Sequence, residues 1–181
     1  MNIKALEKLK YPIGQFVCPN PITDAQISEW IRILEEFPIK FEALVKHLTK
    51  SQLDTPYRPE GWTIRQTVHH VSDSHHHSYT RFKWALTENK PLIKAYNEAE
   101  WAELFDSKTA PIQMSIEHLK AIHYKLVYVL KGLSNDDLRK SFIHPETNTE
   151  VFLDYNIGNY AWHSNHHYAH IKNVLKTKGW L

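Results

Sequence analysis

The sequence predicts an all-α protein, a four-helix bundle with a small β-hairpin before the last helix. Three observations carry this prediction. Apolar residues recur at helical spacing in four long stretches, and residues typical of helix starts and ends border these stretches. Two of the connections between them are long. A chain of 181 residues, 42% hydrophobic and 23% charged, suits one globular domain.

Residues 1–22 predict an irregular N-terminal arm, ahead of a single bundle domain over residues 23–181. The arm contains four residues that disfavour regular structure: Pro12, Gly14, Pro19 and Pro21. Thr23 or Asp24 can cap the first long helix. Because Pro38 lies within the apolar pattern of that helix, we expect a kink or a break there.

Signals for the other long helices follow in order. The stretch TIRQ, Thr63 to Gln66, is a capping-box sequence that starts the second helix, which is expected to end near Asn89–Pro91. The third helix begins near Pro111 and ends near Gly132. The stretch SFIHPETNTEVFL, Ser141 to Leu153, alternates around a turn and predicts the hairpin, and the last long helix follows it.

Charge and cysteine content exclude several classes of protein. The 22 basic and 20 acidic residues leave a formal charge of +2, which does not suit nucleic-acid binding. No stretch approaches the ~18 apolar residues of a membrane span, and the N-terminal residues do not resemble a signal peptide. We therefore expect a cytoplasmic protein. Cys18 is the only cysteine, which excludes an internal disulfide.

Histidine is the unusual residue, with 13 copies that concentrate in two places. In WHSNHHYAH, residues His163, His167 and His170 share one helical stripe, which continues into Ile171 and Val174 and so faces the bundle interior. Two histidines four residues apart on a helix can hold a metal ion together. The alternative is a pair of core histidines that bond to carbonyl groups or water.

A metal site needs a third protein ligand, and GWTIRQTVHHVSDSHHH can supply it. Helical spacing leaves three candidates open: His70, His75 and His77. His75 falls on the apolar face, which is typical of a core histidine, whereas His69 and His76 are expected to face solvent.

Several stretches together resemble one known family, the YfiT-like branch of the DinB superfamily, a group of metal-dependent hydrolases. They are GWTIRQTVHHVSDSH and WHSNHHYAHI, with YPIGQF, SQLDTPYRPEGWT and RFKWALTE in support. The resemblance covers nearly the whole chain. It implies an up-up-down-down four-helix bundle, commonly a homodimer, which binds one zinc or nickel ion per subunit.

The resemblance also implies the metal ligands. In the family the first ligand lies eight residues after a tryptophan, which is Trp62 here, and this count gives His70. The other two ligands are the histidines of an HxxxH pair, which gives His163 and His167. His170 is a candidate fourth ligand one turn further along.

Three histidine ligands leave a coordination position open for a small-molecule substrate, and two kinds of catalysis fit them. A hydrolase would activate a metal-bound water for attack on an amide or ester. A thiol S-transferase, of the kind that uses bacillithiol, would hold a low-molecular-weight thiol as a thiolate. A non-catalytic structural metal site or binding module is a second alternative, and a pH-responsive histidine cluster is a third.

The residues around the ligands have several candidate roles. No sequence motif assigns a catalytic acid or base, because Ser164 follows His163 where a metalloprotease helix would carry glutamate. Asp73 is a candidate for orienting His70. Arg81 could meet an anionic substrate, although a surface salt bridge is the simpler interpretation. Four tryptophans could pack in the core or contribute to a dimer contact: Trp30, Trp84, Trp101 and Trp180.

Overall fold

The computed structural model describes residues 3–181, and four long helices dominate that range. The helices are α1 (Ile3–Lys10), α2 (Asp24–Val45), α3 (Lys50–Leu53), α4 (Ile64–Thr87), α5 (Glu98–Glu103), α6 (Phe105–Thr109), α7 (Ile112–Lys131), α8 (Asn135–Leu138) and α9 (Leu153–Thr177). The strands are β1 (Ser141–His144) and β2 (Thr149–Phe152), which pair antiparallel. The predicted all-α bundle with its hairpin is confirmed.

Helices α2, α4, α7 and α9 form the bundle. Helix α2 packs against α7 and α9, and α4 packs against the same two helices, so α2 and α4 lie diagonally opposite. The capping box predicted at Thr63 forms, and of the two candidate caps for the first long helix it is Thr23 that caps α2, in a second capping box. None of the helices within residues 3–181 is long and apolar enough to span a bilayer.

Two apolar clusters fill the bundle, one towards each end. The first includes Leu34, Phe82, Leu126 and Ile157, and the second includes Phe41, Val71, Leu119 and Ile171. Every long helix contributes to both clusters. Four histidines lie between members of the two clusters along their own helices: His75, His123, His163 and His167. A polar histidine layer therefore crosses the bundle between two apolar layers.

The N-terminal arm differs from the prediction, because its first part is the helix α1. The residues that disfavour helix formation all lie at or beyond Pro12, and Ile3, Leu6 and Leu9 recur with a spacing that suits a helix. Two hydrogen bonds also join the arm to α9. The carbonyl of Lys10 bonds Nε2 of His170 at 2.9 Å, and Nε1 of Trp162 donates to the carbonyl of Gly14 at 3.1 Å.

Of the kink or break expected at Pro38, the break does not occur, since α2 continues through this residue. Proline has no N–H, so the carbonyl four residues earlier, that of Leu34, loses its helical donor. Nδ1 of His123 on α7 replaces that donor, at 2.6 Å from the Leu34 oxygen. A contact from a neighbouring helix thus satisfies the carbonyl, and the helix remains continuous.

Candidate metal centre

The structure brings together His70, His163 and His167, the three histidines expected to be ligands. One nitrogen from each ring lies within 4.8 Å of the others. The capping box at Thr63 starts α4, which places His70 two turns into that helix, while the other two histidines lie one turn apart on α9. The Trp62 ring lies against the His70 ring, with 4.6 Å between centroids.

The other candidate ligands lie outside this group. His77 stacks on Tyr96, with 4.3 Å between ring centroids. Nε2 of His75 lies 3.1 Å from Nδ1 of His163, so His75 contacts one ring of the cluster without being a member of it. Nε2 of His170 bonds the Lys10 carbonyl of the arm, so this nitrogen is engaged away from the cluster.

An imidazole chain links the cluster to the inside of the bundle. Nδ1 of His163 lies 3.1 Å from Nε2 of His75, Nδ1 of His75 lies 2.9 Å from Nε2 of His123, and Nδ1 of His123 bonds the Leu34 carbonyl. We call these four groups, from the Leu34 carbonyl to His163, the imidazole chain. All four long helices take part in it.

Burial keeps these rings neutral. It lowers the pKa of His123 to about 4, and it lowers the pKa of His75 and of His163 well below the ordinary value, with neighbouring histidines adding to the effect. Burial also lowers the pKa of His70 to about 4 and that of His167 well below its ordinary value. The cluster therefore offers three uncharged imidazoles at neutral pH.

Neutral rings have one N–H each, and this fixes the tautomers along the chain. A carbonyl oxygen only accepts, so His123 carries its proton on Nδ1 and accepts on Nε2. His75 must then donate from Nδ1, and His163 must donate from its own Nδ1 to Nε2 of His75. The lone pair of His163 is consequently on Nε2, which is free to bind a metal ion.

Comparison with known proteins identifies the family. A family model described as the DinB superfamily matches residues 33–171. The chain belongs to the DinB superfamily. A Bacillus cereus relative named "Putative metal-dependent hydrolase" is 50% identical over 175 residues, which covers 97% of this chain and all of that protein. A relative from Bacillus thuringiensis subsp. konkukian carries the same description at the same identity and coverage.

A solved structure of another DinB-like protein superimposes closely. It is described as "YfiT from Bacillus subtilis is a probable metal-dependent hydrolase with an unusual four-helix bundle topology". The two chains are 44% identical, the TM-score is 0.94, and the match covers 96% of this chain and 99% of that one. The predicted family and fold are both confirmed.

Within this DinB fold, the histidine cluster opens onto a cavity of about 340 Å³. Its wall joins α4 and α9 to the 92–98 connection and the hairpin. The lining residues are Trp62, His70, Ser74, Arg81, Ala95, Tyr96, Glu98, His144, Glu146, Tyr160, His163 and His167. A volume of this size holds a small organic molecule.

Two predictions about neighbouring residues are wrong or unsupported. His69 was expected to face solvent, but it is buried, and its Nδ1 lies 2.7 Å from the Ser115 hydroxyl. Helices α6 and α7 cover that face of α4, which the periodicity of one helix does not reveal. No hydrogen bond within residues 3–181 joins Asp73 to His70, and burial, with Asp106 nearby, raises the Asp73 pKa to about 6. His76 is exposed, as predicted.

Sequence reasoning missed the role of His123 and the cavity residues Tyr96 and His144. The signal for His123 was present, because a histidine in the apolar stripe of α7 must have a polar partner in the core. The other two residues lie outside the long helices, so helical spacing gives no indication that they approach the cluster. Of the four tryptophans, Trp30 and Trp84 pack against the first apolar cluster, while Trp101 and Trp180 are exposed.

Proposed function

We propose that this protein is a metal-dependent hydrolase whose metal ligands are His70, His163 and His167. One observation carries the proposal: three neutral imidazoles from two helices converge on the wall of a cavity that can hold a small molecule. The metal dependence named for the relatives supports it.

The donor set fits a divalent cation that accepts imidazole, and zinc and nickel are the ions that we propose. Three nitrogen ligands without cysteine are typical of a catalytic site with an open position, rather than of a closed structural site. When bound, such an ion lowers the pKa of a water ligand and polarises a carbonyl oxygen.

Residues of the chain would orient the substrate. The hydroxyl of Tyr160 lies 3.4 Å from the Ser74 hydroxyl and 3.4 Å from Nη1 of Arg81, on the wall beside His163. Burial raises the pKa of Tyr96, which keeps this phenol protonated and able to donate a hydrogen bond. Trp62 and the apolar part of the two tyrosines limit the access of water.

Metal analysis of variants tests the ligand assignment. His163→Ala and His167→Ala should each abolish stoichiometric metal in the purified protein, because two nitrogen ligands hold a divalent ion far more weakly than three. His76→Ala is the control, since His76 is exposed on the same helix as His70, and it should retain full metal content. Unchanged metal in the first two variants would contradict the assignment.

A thiol S-transferase uses the same ligands, so a second assay separates the two reactions. The metal-loaded protein is incubated with a panel of amides and esters, and separately with a low-molecular-weight thiol plus an electrophile. Hydrolysis that is lost in His163→Ala supports the hydrolase. Turnover of the thiol and electrophile without hydrolysis of any amide or ester would contradict the hydrolase and support the thiol S-transferase. The homodimer and the cytoplasmic location stay predictions.

A further inference from the structure

Arg81 is a buried cation on the wall of the cavity. Its exposed fraction is 9%, and it lies three turns beyond His70 on α4. Nε of its guanidinium is buried and has no hydrogen-bond partner, and Nη1 makes one long bond, 3.4 Å, to the Tyr160 hydroxyl. Within residues 3–181, no carboxylate lies within ion-pairing distance of this guanidinium, so the surface salt bridge considered for Arg81 is not formed.

A second buried arginine on the same helix, Arg65, has the hydrogen-bond and ion-pair partners that a buried structural arginine needs. Arg65 is 6% exposed, and its Nε donates to Oδ1 of Asp54 at 2.9 Å. Its Nη1 donates to the Ala110 carbonyl, also at 2.9 Å. Burial of a charge is costly unless it is paired and hydrogen-bonded, and Arg65 meets that condition where Arg81 does not.

The acidic residues at the same cavity do not compensate Arg81. Glu98 and Glu146 line the cavity, but both are exposed, and neither forms an ion pair with Arg81 among the described residues. A second buried nitrogen without a partner, Nδ1 of His144, lies on the same wall. Within the described part of the chain, Nε of Arg81 is therefore a buried donor without an acceptor, and Nδ1 of His144 is a second nitrogen on this wall that makes no hydrogen bond.

We propose that Arg81 binds a carboxylate of the substrate, so that this end of the cavity selects small molecules with a single negative charge. The inference rests on the proposed function, because it places the reacting group of the same molecule at the three histidines. A guanidinium matches a carboxylate with two parallel hydrogen bonds, and Nε is one of the donors that such a pair can use.

The charges of the wall favour a carboxylate over a phosphate. Arg81 is the one permanently charged cation among the lining residues, and burial and nearby Arg81 lower the pKa of His144, which keeps that ring neutral. A single cation balances one negative charge, whereas a phosphate monoester carries about 1.5 to 2.

The dimensions favour a short molecule. The Tyr160 hydroxyl contacts Nη1 of Arg81, and the Tyr160 ring lies 5.5 Å from the His163 ring between centroids. One tyrosine side chain thus connects the arginine to the histidine cluster. A molecule with a few carbon atoms between its carboxylate and its scissile carbonyl can reach both ends.

Binding of paired probes to the zinc-loaded protein tests the proposal without a known substrate. The probes are the monohydroxamates of succinate, glutarate and adipate, whose hydroxamate end binds zinc, each compared with its own methyl ester by titration calorimetry. We expect the best free acid to bind about 10- to 100-fold more tightly than its ester, the gain of a charge-assisted hydrogen bond.

Variants locate the source of that gap. The difference in affinity between free acid and ester should disappear in Arg81→Gln and persist in the control Arg65→Gln. It should shrink in Arg81→Lys, because lysine cannot bind a carboxylate with two parallel hydrogen bonds. Arg81→Gln should also melt no lower than the original protein, whereas Arg65→Gln should melt lower, because only Arg65 has a carboxylate partner. Equal affinity for acid and ester, a gap that survives Arg81→Gln, or a large loss of stability in Arg81→Gln would overturn the proposal.

A metal-free measurement separates this proposal from the proposed function. Butyrate and butyramide are titrated into the metal-free protein, with amide chemical shifts in ¹⁵N-resolved NMR as the readout. Butyrate that shifts signals around Arg81 in the original protein, but not in Arg81→Gln, supports the carboxylate site even if the hydroxamates do not bind. A propylphosphonate that binds more tightly than butyrate would overturn the choice of a carboxylate.

Discussion

Replacement of His123 by leucine would cut the imidazole chain at its inner end, without a change in any of the three proposed ligands. The variant removes two hydrogen bonds, those of 2.6 Å to the Leu34 carbonyl and 2.9 Å to His75. His75 then loses the acceptor that holds its proton on Nδ1, and His163 is no longer forced to present its Nε2 lone pair. Leucine fills a similar volume in the apolar surroundings.

Two separate losses follow from this change. Groups that orient a metal-ligating histidine are worth about 10- to 100-fold in metal affinity, or about 1.4 to 2.7 kcal/mol. The Leu34 carbonyl already lacks its helical donor because of Pro38, so the loss of His123 leaves it unpaired in the core. That should lower the free energy of unfolding by about 1 to 3 kcal/mol.

Competition with a chromophoric zinc chelator at neutral pH measures the first loss, and urea unfolding of the metal-free protein measures the second. His118→Leu is the control, because His118 lies on the same helix but bonds Ser72 and His76 instead, outside the chain. It should bind zinc like the original protein.

A double variant separates the two effects. Addition of Pro38→Ala to His123→Leu returns an N–H to the helix, which can satisfy the Leu34 carbonyl and restore stability. Metal affinity should stay low, because the backbone N–H gained at position 38 does not replace Nε2 of His123 as the acceptor for His75. If His123→Leu binds zinc within about twofold of the original protein, the tautomer argument is refuted.

Two further predictions concern stability. The pKa of His123 is lowered by burial from 6.5 to about 4, so the unfolded state binds more protons than the folded state between these values. The metal-free protein should be fully stabilised above about pH 6.5 and lose stability as the pH falls towards 4, and His123→Leu should reduce that slope by up to about 1.4 kcal/mol per pH unit in urea titrations. A Cβ on Gly158 would approach Trp30 to 2.7 Å and Phe16 to 2.9 Å. Gly158→Ala should therefore lower the free energy of unfolding by about 1 to 3 kcal/mol through crowding. The higher helix propensity of alanine should offset up to about 1 kcal/mol of that loss. Gly132→Ala, whose Cβ meets its nearest atom at 3.5 Å, should melt like the original protein, and equal melting of both variants would contradict the crowding argument.

The helix starts were predictable because their signals are local. A capping box needs two side chains three residues apart, and TIRQ contains both, so α4 begins where the sequence places it. The hairpin was predictable for the same reason. The sequence left open whether Pro38 breaks the helix, because this depends on whether another helix supplies a donor for the Leu34 carbonyl, and His123 is 89 residues from Leu34.

In the candidate site, too, local spacing predicted some residues, while others depended on contacts between distant segments. The HxxxH spacing placed His163 and His167 on one face of α9, and the family resemblance pointed to His70, since helical spacing alone left His75 and His77 open. His69 was misplaced because the cover that α6 and α7 give to α4 is a tertiary contact.

The sequence by itself determined the four amphipathic helices, their caps, the hairpin and the HxxxH pair, because each depends on residues a few positions apart. Only the tertiary structure decided that His75 and His123 connect His163 to the Leu34 carbonyl, and that Arg81 is buried without a carboxylate while Arg65 is paired with one. The physical reason is that tautomer and charge balance depend on which groups from distant segments lie within hydrogen-bonding distance, and the spacing of residues along one helix carries no information about that.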